Sequence, residues 1–359
     1  MEKSKQDSFA GEDLDALKRR ADIVGNFGWS VVSGVTAIVL REKGETALNN
    51  VWRALMTAEQ SHRFVEALEK LGIRNDPPAV TAAKYHYFSN TIGGLRLQYM
   101  AESPKKVWIR YLPPWGTFPG ISALAVPSSV RRTILSTWHP RNGELLGCPR
   151  LGWVATKFVA EGHQYDEGYF MEYDHDLRPE ERFRVEHVAH TPEFDPATAP
   201  QLDPQVWPEA RIVKGGANYA SDYVTHVIEA IVAQFGIHAA SQMVSSAMKL
   251  LAVQFTPALK AQTGTTGNSV AAIAETFATI VGAFKNTVHV KALDNDRVEL
   301  VFDSFKPFPF LDAPAMRNAV FDFFEMSVRT LNGHVRIERR NQPDGTEHWT
   351  LTDTHAWLW

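Results

Sequence analysis

The densest run of side chains able to do chemistry lies between residues 138 and 175. It opens with Trp138 and His139, continues through Asn142, Arg150 and Lys157, and reaches a cluster of Glu161, His163, Tyr165, Asp166 and Glu167. It closes with Tyr169, Glu172, Tyr173, Asp174 and His175. Acid–base catalysis needs a group whose pKa can be moved toward neutrality, and an imidazole or a desolvated carboxylate does this most readily. On that ground His163, Asp166 and Glu167, with Tyr165 beside them, are the candidate catalytic groups. If residues 169–173 form a strand, alternation places Tyr169, Met171 and Tyr173 on one face and Phe170, Glu172 and Asp174 on the other. Two carboxylates on one face either meet water, as on an edge hairpin, or line a polar cavity.

Other chemistries fit this stretch less well. His163, Asp166 or Glu167, and His175 match no compact metal-ligand spacing, so no metal site is assigned; a divalent metal is the alternative. Cys148 as a nucleophile needs a nearby base such as His139, and a small buried cysteine is the commoner role. No phosphate-binding glycine loop, paired Cys-x-x-Cys, nucleophile elbow or His-Glu-x-x-His is present.

A second polar-aromatic stretch is "AAKYHYFSNTIGG", ending at Gly94. Tyr85 and Phe88 share a helical face, and His86 stands beside them. They either fill a core or wall a ligand pocket, where aromatic surfaces with a few polar handles are typical. Arg110, on a strand further on, falls on the same face as Trp108 and is a candidate carboxylate clamp or a solvent-facing residue. The candidate ligand-binding set is thus Tyr85, His86, Arg110, Trp138, His139, Lys157 and Glu172.

The elements that must carry these groups follow from periodicity and punctuation. Helical spacing runs from Leu14, is interrupted at Gly44, and resumes to Leu71 before Gly72. A helix from about Val80 to Thr91 closes at Gly93-Gly94. A hairpin follows, Leu95–Met100 with Val107–Leu112, then the loop at Pro113-Pro114-Trp115, a helix over Ser128–Trp138, and a hairpin of Trp153–Phe158 with Tyr169–Tyr173 turning at Gly162. The same order recurs from residue 221: helices ending near Gly236 and Gly264, a helix from Ser269 to Phe284, and strands Thr287–Ala292 and Arg297–Phe302. It finishes with the loop Lys306-Pro307-Phe308-Pro309, a helix Ala315–Leu331, and a hairpin Val335–Arg340 with His348–Leu351 turning at Asp344-Gly345. The interval from Gly44 to Gly72 equals that from Gly236 to Gly264. The expected fold is therefore α+β, an internal duplication of a helical body with two β-hairpins per copy.

The expected boundaries are a mobile leader over 1–12, a first repeat over 13–175, a connector over 176–212, and a second repeat over 213–359. The connector begins with the charged run Arg178–Arg182 and then carries Pro192, Pro196, Pro200, Pro204 and Pro208, which suits an extended spacer outside any core. The second repeat is simpler in its charges, so the first is the candidate site domain and the second a structural or dimer-forming partner.

The stretch "VATKFVAEGHQYDEGYF", residues 154–170, resembles the closing hairpin of 4-vinyl reductase-type small-molecule-binding domains, with Gly162 and Phe170 where that family has its glycine and aromatic. Lys157 and Asp166-Glu167-Gly168 stand in the regions where its cysteines are expected, so a metal site built on those cysteines is not implied. The helical body and polar closing segment are also similar to 2-amino-thiazoline-4-carboxylate hydrolase-like proteins. Either resemblance implies an internal apolar pocket for a small organic ligand.

The chain has 359 residues, 44% hydrophobic and 22% charged, with a net charge of -4 and one cysteine. These values describe a globular chain of two ordinary domains, with no basic run to favour nucleic acid and no possible intrachain disulfide. The polar N-terminus lacks the apolar core of a secretory signal, and the apolar stretches at 228–235 and 270–284 are too short or interrupted to span a bilayer. The expectation is a cytoplasmic protein, forming a homodimer if the second repeat mediates one. It would act on a small, partly apolar or aromatic organic molecule by hydrolysis or elimination, with no cofactor. The rival expectations are a non-catalytic carrier or sensor, and a scaffold.

Overall fold

A computed structural model describes residues 13–113, 127–342 and 346–358. It is mixed α+β, as the periodicities require. The leader, the loop at Pro114-Trp115 and the turn at Asp344-Gly345 lie outside the described residues. Two compact units divide the chain: one is residues 40–216, the other residues 217–359 together with residues up to 39. The expected boundary between repeats falls nearby, at 213. The N-terminal helical residues, however, group with the second half of the chain and not with the first.

In the 40–216 unit the second part of α1 (Leu14–Leu71) is followed by α2 (Pro78–Ile92), β1 (Arg96–Ser103) and β2 (Lys106–Leu112). Then come α3 (Ser128–Leu145), β3 (Leu151–Lys157), β4 (Asp166–Glu172) and β5 (Phe183–Val185). Gly44 breaks α1 with φ 81 and ψ 177, a conformation open to glycine and closed to most side chains. Proline opens α2 at its first position, where the missing N–H is no loss.

The sheet order is β1-β2-β4-β3-β5, with β5 parallel to β3 and every other pair antiparallel. Alternation along the strands sends Leu97, Tyr99, Ile109, Tyr111, Trp153 and Phe170 to one face, where Ala79, Ala82 and Ala83 of α2 and Leu135 of α3 cover them. Small residues on α2 let the helix lie close to the sheet. Gly168 serves the same end within the sheet. A Cβ there would lie 2.5 Å from the Trp153 indole, so glycine is what lets that ring cross β4.

The opposite face carries Met100, Trp108, Val154 and Tyr169, and the connector covers it with Val188 and Phe194. This corrects the reading of 176–212 as a spacer outside the core. Leu177 and Ala199 are buried, residues 183–185 add a strand to the sheet, and residues 209–212 already belong to a helix. A proline every four residues bars long regular elements but does not bar packing. The same finding bears on the closing hairpin. Alternation along β4 holds, and both of its faces are covered, so it is not a solvated edge.

The other unit contains the first part of α1, then α4 (Glu209–Phe235) from residue 217 onward, α5 (Ile237–Thr263), α6 (Val270–Ala283), β6 (Val288–Ala292) and β7 (Arg297–Phe302). It ends with α7 (Pro314–Leu331), β8 (Val335–Asn341) and β9 (Glu347–Asp353). Its sheet order is β6-β7-β9-β8. Aromatic side chains fill its core: Phe302, Phe305, Phe324 and Trp349 meet edge to face or tilted, at centroid distances from 4.7 to 5.7 Å.

One stretch not singled out in the sequence, Leu14–Ser61, is long and apolar enough to cross a bilayer, but 72% of its most apolar window is buried inside the protein.

Candidate functional site

Polar groups in the 40–216 unit gather in two places, one on each face of the sheet. The helix-covered face holds the more unusual arrangement. His86 from α2 and His139 from α3 stack with ring centroids 4.1 Å apart and planes 10° from parallel. The hydroxyl of Tyr111, from β2, lies 2.9 Å from His139 Nε2 and 3.3 Å from His86 Nδ1. Asn142 Nδ2 donates to His86 Nε2 at 2.8 Å. Gln60 Nε2, from α1, donates to the Asn142 side-chain oxygen and to the Trp138 carbonyl, both at 2.9 Å. Phe170 and Trp153 complete the enclosure, with Trp153 4.3 Å from the His139 ring.

Burial decides the protonation of this set. Both imidazoles are 3% exposed. Desolvation opposes the charged form and holds His86 down to about 3. Burial, then the neighbouring His86, push His139 well below the ordinary histidine range against a weaker opposing pull from the Leu135 carbonyl. At neutral pH both rings are uncharged, each with one donor and one acceptor nitrogen.

Four buried polar atoms in and around the set have no hydrogen-bond partner among the described residues: Trp138 Nε1, Trp153 Nε1, Gln60 Oε1 and His139 Nδ1. Most buried polar atoms are paired, so four together mark an unusual site.

The second cluster lies on the connector-covered face. Glu167 is fully buried and is held by Arg110 Nε, by Lys157 Nζ at 3.0 Å and by Thr156 Oγ1 at 2.9 Å. Arg110 also donates to Gln98 Oε1, to Thr191 Oγ1 and to the Pro192 carbonyl. Its guanidinium and the Lys157 ammonium both lie over the Tyr165 ring, at 4.9 and 4.8 Å. Arg110 shares its face with Trp108, as alternation requires, but its donors serve the sheet and the connector.

The remaining candidates are dispersed. Asp166 lies on the helix side, 3.0 Å from Arg131 Nη1, and accepts from the Val159 backbone at 2.7 Å. Burial raises its carboxyl, with Arg131 the main opposing influence. Glu172 is buried against Arg150 at 2.7 Å. His163 is half-buried and contacts the Phe158 backbone. Tyr85 packs on Phe64 in the core, at 4.5 Å between rings. Cys148 is buried, which raises its thiol pKa and leaves it a poor nucleophile.

The predicted site residues therefore fall into two separate sets and not one: Arg110, Lys157, Tyr165 and Glu167 meet on one face of the sheet, and His86, Trp138 and His139 on the other. Tyr85, His86, Trp138 and His139 lie on the helix side, Arg110 and Lys157 on the other, and His163, Asp166 and Glu167 form no common cluster. Adjacent residues on a strand point to opposite faces, so Asp166 and Glu167 cannot act together. Among the described residues no group of three or more His, Cys, Asp or Glu is placed to hold a metal ion.

Sequence reasoning missed Gln60 and Tyr111. Gln60 sits on the buried stripe of α1 between Met56 and Phe64, and a polar residue on an apolar stripe was the available signal. The helix carrying His139 was expected to end at Trp138. It continues through Pro140 to Leu145 and stops at Gly147, whose φ of 65 closes it, and this brings Asn142 onto the same helix.

Comparison with known proteins names no relative. No family model, no curated protein and no solved structure matches the chain.

Proposed function

We propose that the 40–216 unit holds an enzymatic site for acid–base chemistry, a hydrolysis or elimination, on a small and partly aromatic organic molecule. Tyr111, His86 and His139 are its reacting groups. The observation that carries this reading is one phenol hydroxyl within hydrogen-bond reach of two imidazoles that burial keeps neutral. A neutral imidazole accepts a proton, and a phenol between two of them can pass one. The unpartnered Trp138 and Trp153 N–H groups and the Gln60 oxygen suit a ligand that offers acceptors and a donor, such as an aromatic acid or amide. The likeness of residues 154–170 to 4-vinyl reductase-type domains, and the similarity to 2-amino-thiazoline-4-carboxylate hydrolase-like proteins, favour the same ligand class. Asp166 and Glu167, first candidates by residue type, are better explained as partners of buried arginines. The same reading makes the protein cytoplasmic, requires no metal, and gives the other unit a structural or dimer-forming role.

A second reading, a carrier without catalysis, is favoured by the depth of the set, since a ligand must be enclosed after the helices part from the sheet. One experiment separates the two. The full chain is incubated with a panel of aromatic and heteroaromatic acids, esters and amides, then followed by mass spectrometry and thermal melting. Conversion by the native chain and none by Tyr111→Phe is expected. A raised melting temperature with the compound recovered intact selects the carrier, and neither effect with any compound defeats both readings.

We also infer that the two units descend from one duplicated ancestor. Supporting this are the matching strand orders β1-β2-β4-β3 and β6-β7-β9-β8 and the left-handed glycines at 44, 72, 236 and 264. In addition, a buried carboxylate opens the closing strand of each sheet, Asp166 or Glu347, facing an arginine at the fourth position of the preceding helix, Arg131 or Arg317.

A further inference from the structure

We infer that Gln60 and Asn142 are positioning residues that give the His86–Tyr111–His139 set one direction of proton travel, from Tyr111 to His139. The chemical consequence rests on the function proposed above, whereas the proton assignment stands without it.

The assignment follows from a carbonyl that can only accept. Gln60 Nε2 lies 2.9 Å from the Trp138 backbone oxygen, so the amide must present its nitrogen there. The reverse orientation would set the Gln60 oxygen against that carbonyl. The orientation adopted leaves Oε1 without a partner and places both N–H groups of Nε2 on oxygens. The Asn142 atom facing Gln60 is then an acceptor, its Oδ1, which turns Nδ2 toward His86.

Because Asn142 Nδ2 donates, His86 Nε2 must accept. A neutral His86 therefore carries its proton on Nδ1 and donates it to the Tyr111 oxygen. That oxygen has one proton of its own, and His139 Nε2 lies 2.9 Å away as an acceptor for it. His139, also neutral, then holds its proton on Nδ1, an atom without a hydrogen-bond partner among the described residues. A single orientation thus runs from Trp138 through Gln60, Asn142, His86 and Tyr111 to His139.

The direction assigns roles. His139 is the base that Tyr111 serves, and the His86 Nδ1–H steadies negative charge on the phenol oxygen. When a substrate X–H bond breaks toward Tyr111, its electron pair stays on the substrate and its proton joins the phenol oxygen. The original phenol proton moves to His139 Nε2. Tyr111 ends as it began, and the net result is one substrate anion beside an imidazolium, the form that burial opposes at His139, so the proton must be handed on to the product before the next cycle.

Long-range proton–nitrogen correlation spectra of the full chain, labelled with nitrogen-15 histidine, test the assignment. Both rings are expected to be protonated at Nδ1. Asn142→Asp replaces the donor facing His86 with an acceptor and is expected to move the His86 proton to Nε2 or to add a second. Gln60→Leu frees the Asn142 amide and is expected to give a mixture of His86 tautomers. Tyr111→Phe should leave His86 fixed and release the preference of His139. A native spectrum with His86 protonated at Nε2 overturns the inference without any variant. So does a folded Asn142→Asp or Gln60→Leu chain, judged by near-ultraviolet circular dichroism, whose His86 signals match the native ones. If the tautomers are as assigned but Tyr111→Phe retains full turnover of a native substrate, the proposed function fails and the assignment survives.

Discussion

Tyr111 and Phe302 hold the same place in their sheets, each opposite the first residue of the closing strand. Around Tyr111 stand two imidazoles and two amides, whereas around Phe302 stand Phe305 and Trp349. The phenylalanine unit shows that this sheet order is compatible with an apolar interior at that place. The polar set in residues 40–216 is therefore an addition that the architecture does not demand. What the two units share is different in kind. Each buries one carboxylate at the head of its closing strand and answers it with arginine, so that pair belongs to the fold.

The comparison can be broken most forcefully at the arginines. Arg131→Met leaves Asp166 buried with its main cationic partner gone and is expected to cost about 3–5 kcal/mol. Arg317→Met should cost less, about 1 kcal/mol, because Arg339 at 3.8 Å and Trp349 Nε1 at 3.2 Å still attend Glu347. Urea unfolding of both variants checks this, and equal losses would remove the distinction.

Acid tests the added set next. The folded pKa of each imidazole lies below its unfolded value, so the unfolded chain binds more protons. The stabilisation is complete above about pH 6.5 and is lost as pH falls toward the folded values, about 3 for His86. Between pH 6.5 and 5 the 40–216 unit should lose about 2 kcal/mol through His86, and His139 should add to the loss in the same direction. Amide exchange in strands β2 and β4 should follow that loss, while β7 and β9 should not. Replacing His86 by Leu should remove its share of the dependence and leave that of His139.

Tyr111→Phe, which installs the residue of the other unit, is expected to cost about 1–2 kcal/mol through the two imidazole nitrogens it strands. The reciprocal Phe302→Tyr buries a hydroxyl among rings and should cost a similar amount, read by thermal melting. The smallest effect concerns the connector, which covers the first sheet. Thr191→Val removes one of several acceptors of Arg110 and should cost about 1 kcal/mol.

How much of this was legible beforehand depended on the range of the interaction involved. Glycine punctuation and hydrophobic periodicity are local, and they placed α1, α2 and both hairpins to within a few residues. The site was legible only in part. His86, Trp138 and His139 stand out by type and do meet, but a sequence cannot show which face of a sheet a second residue reaches. Arg110 and Lys157 were grouped with them and lie across the sheet. Asp166 and Glu167 looked like a catalytic pair because they are neighbours in sequence, which on a strand is the reason they are apart. Gln60 lies 82 residues from the asparagine it orients, a distance no local pattern spans. Pro140 hid the length of α3, and the prolines of the connector hid a segment that packs.

The discontinuous unit sets an order of events at the ribosome. Residues 40–216 are contiguous and can close as they emerge, whereas the helical residues before 40 belong with partners that begin at 217. At about 5–20 residues per second, the apolar stripe of that first helix waits on the order of ten seconds or more for the chain it will pack against. During that interval a stretch long and apolar enough to cross a bilayer is without the chain that buries it. It is there that a chaperone is expected to bind the nascent chain.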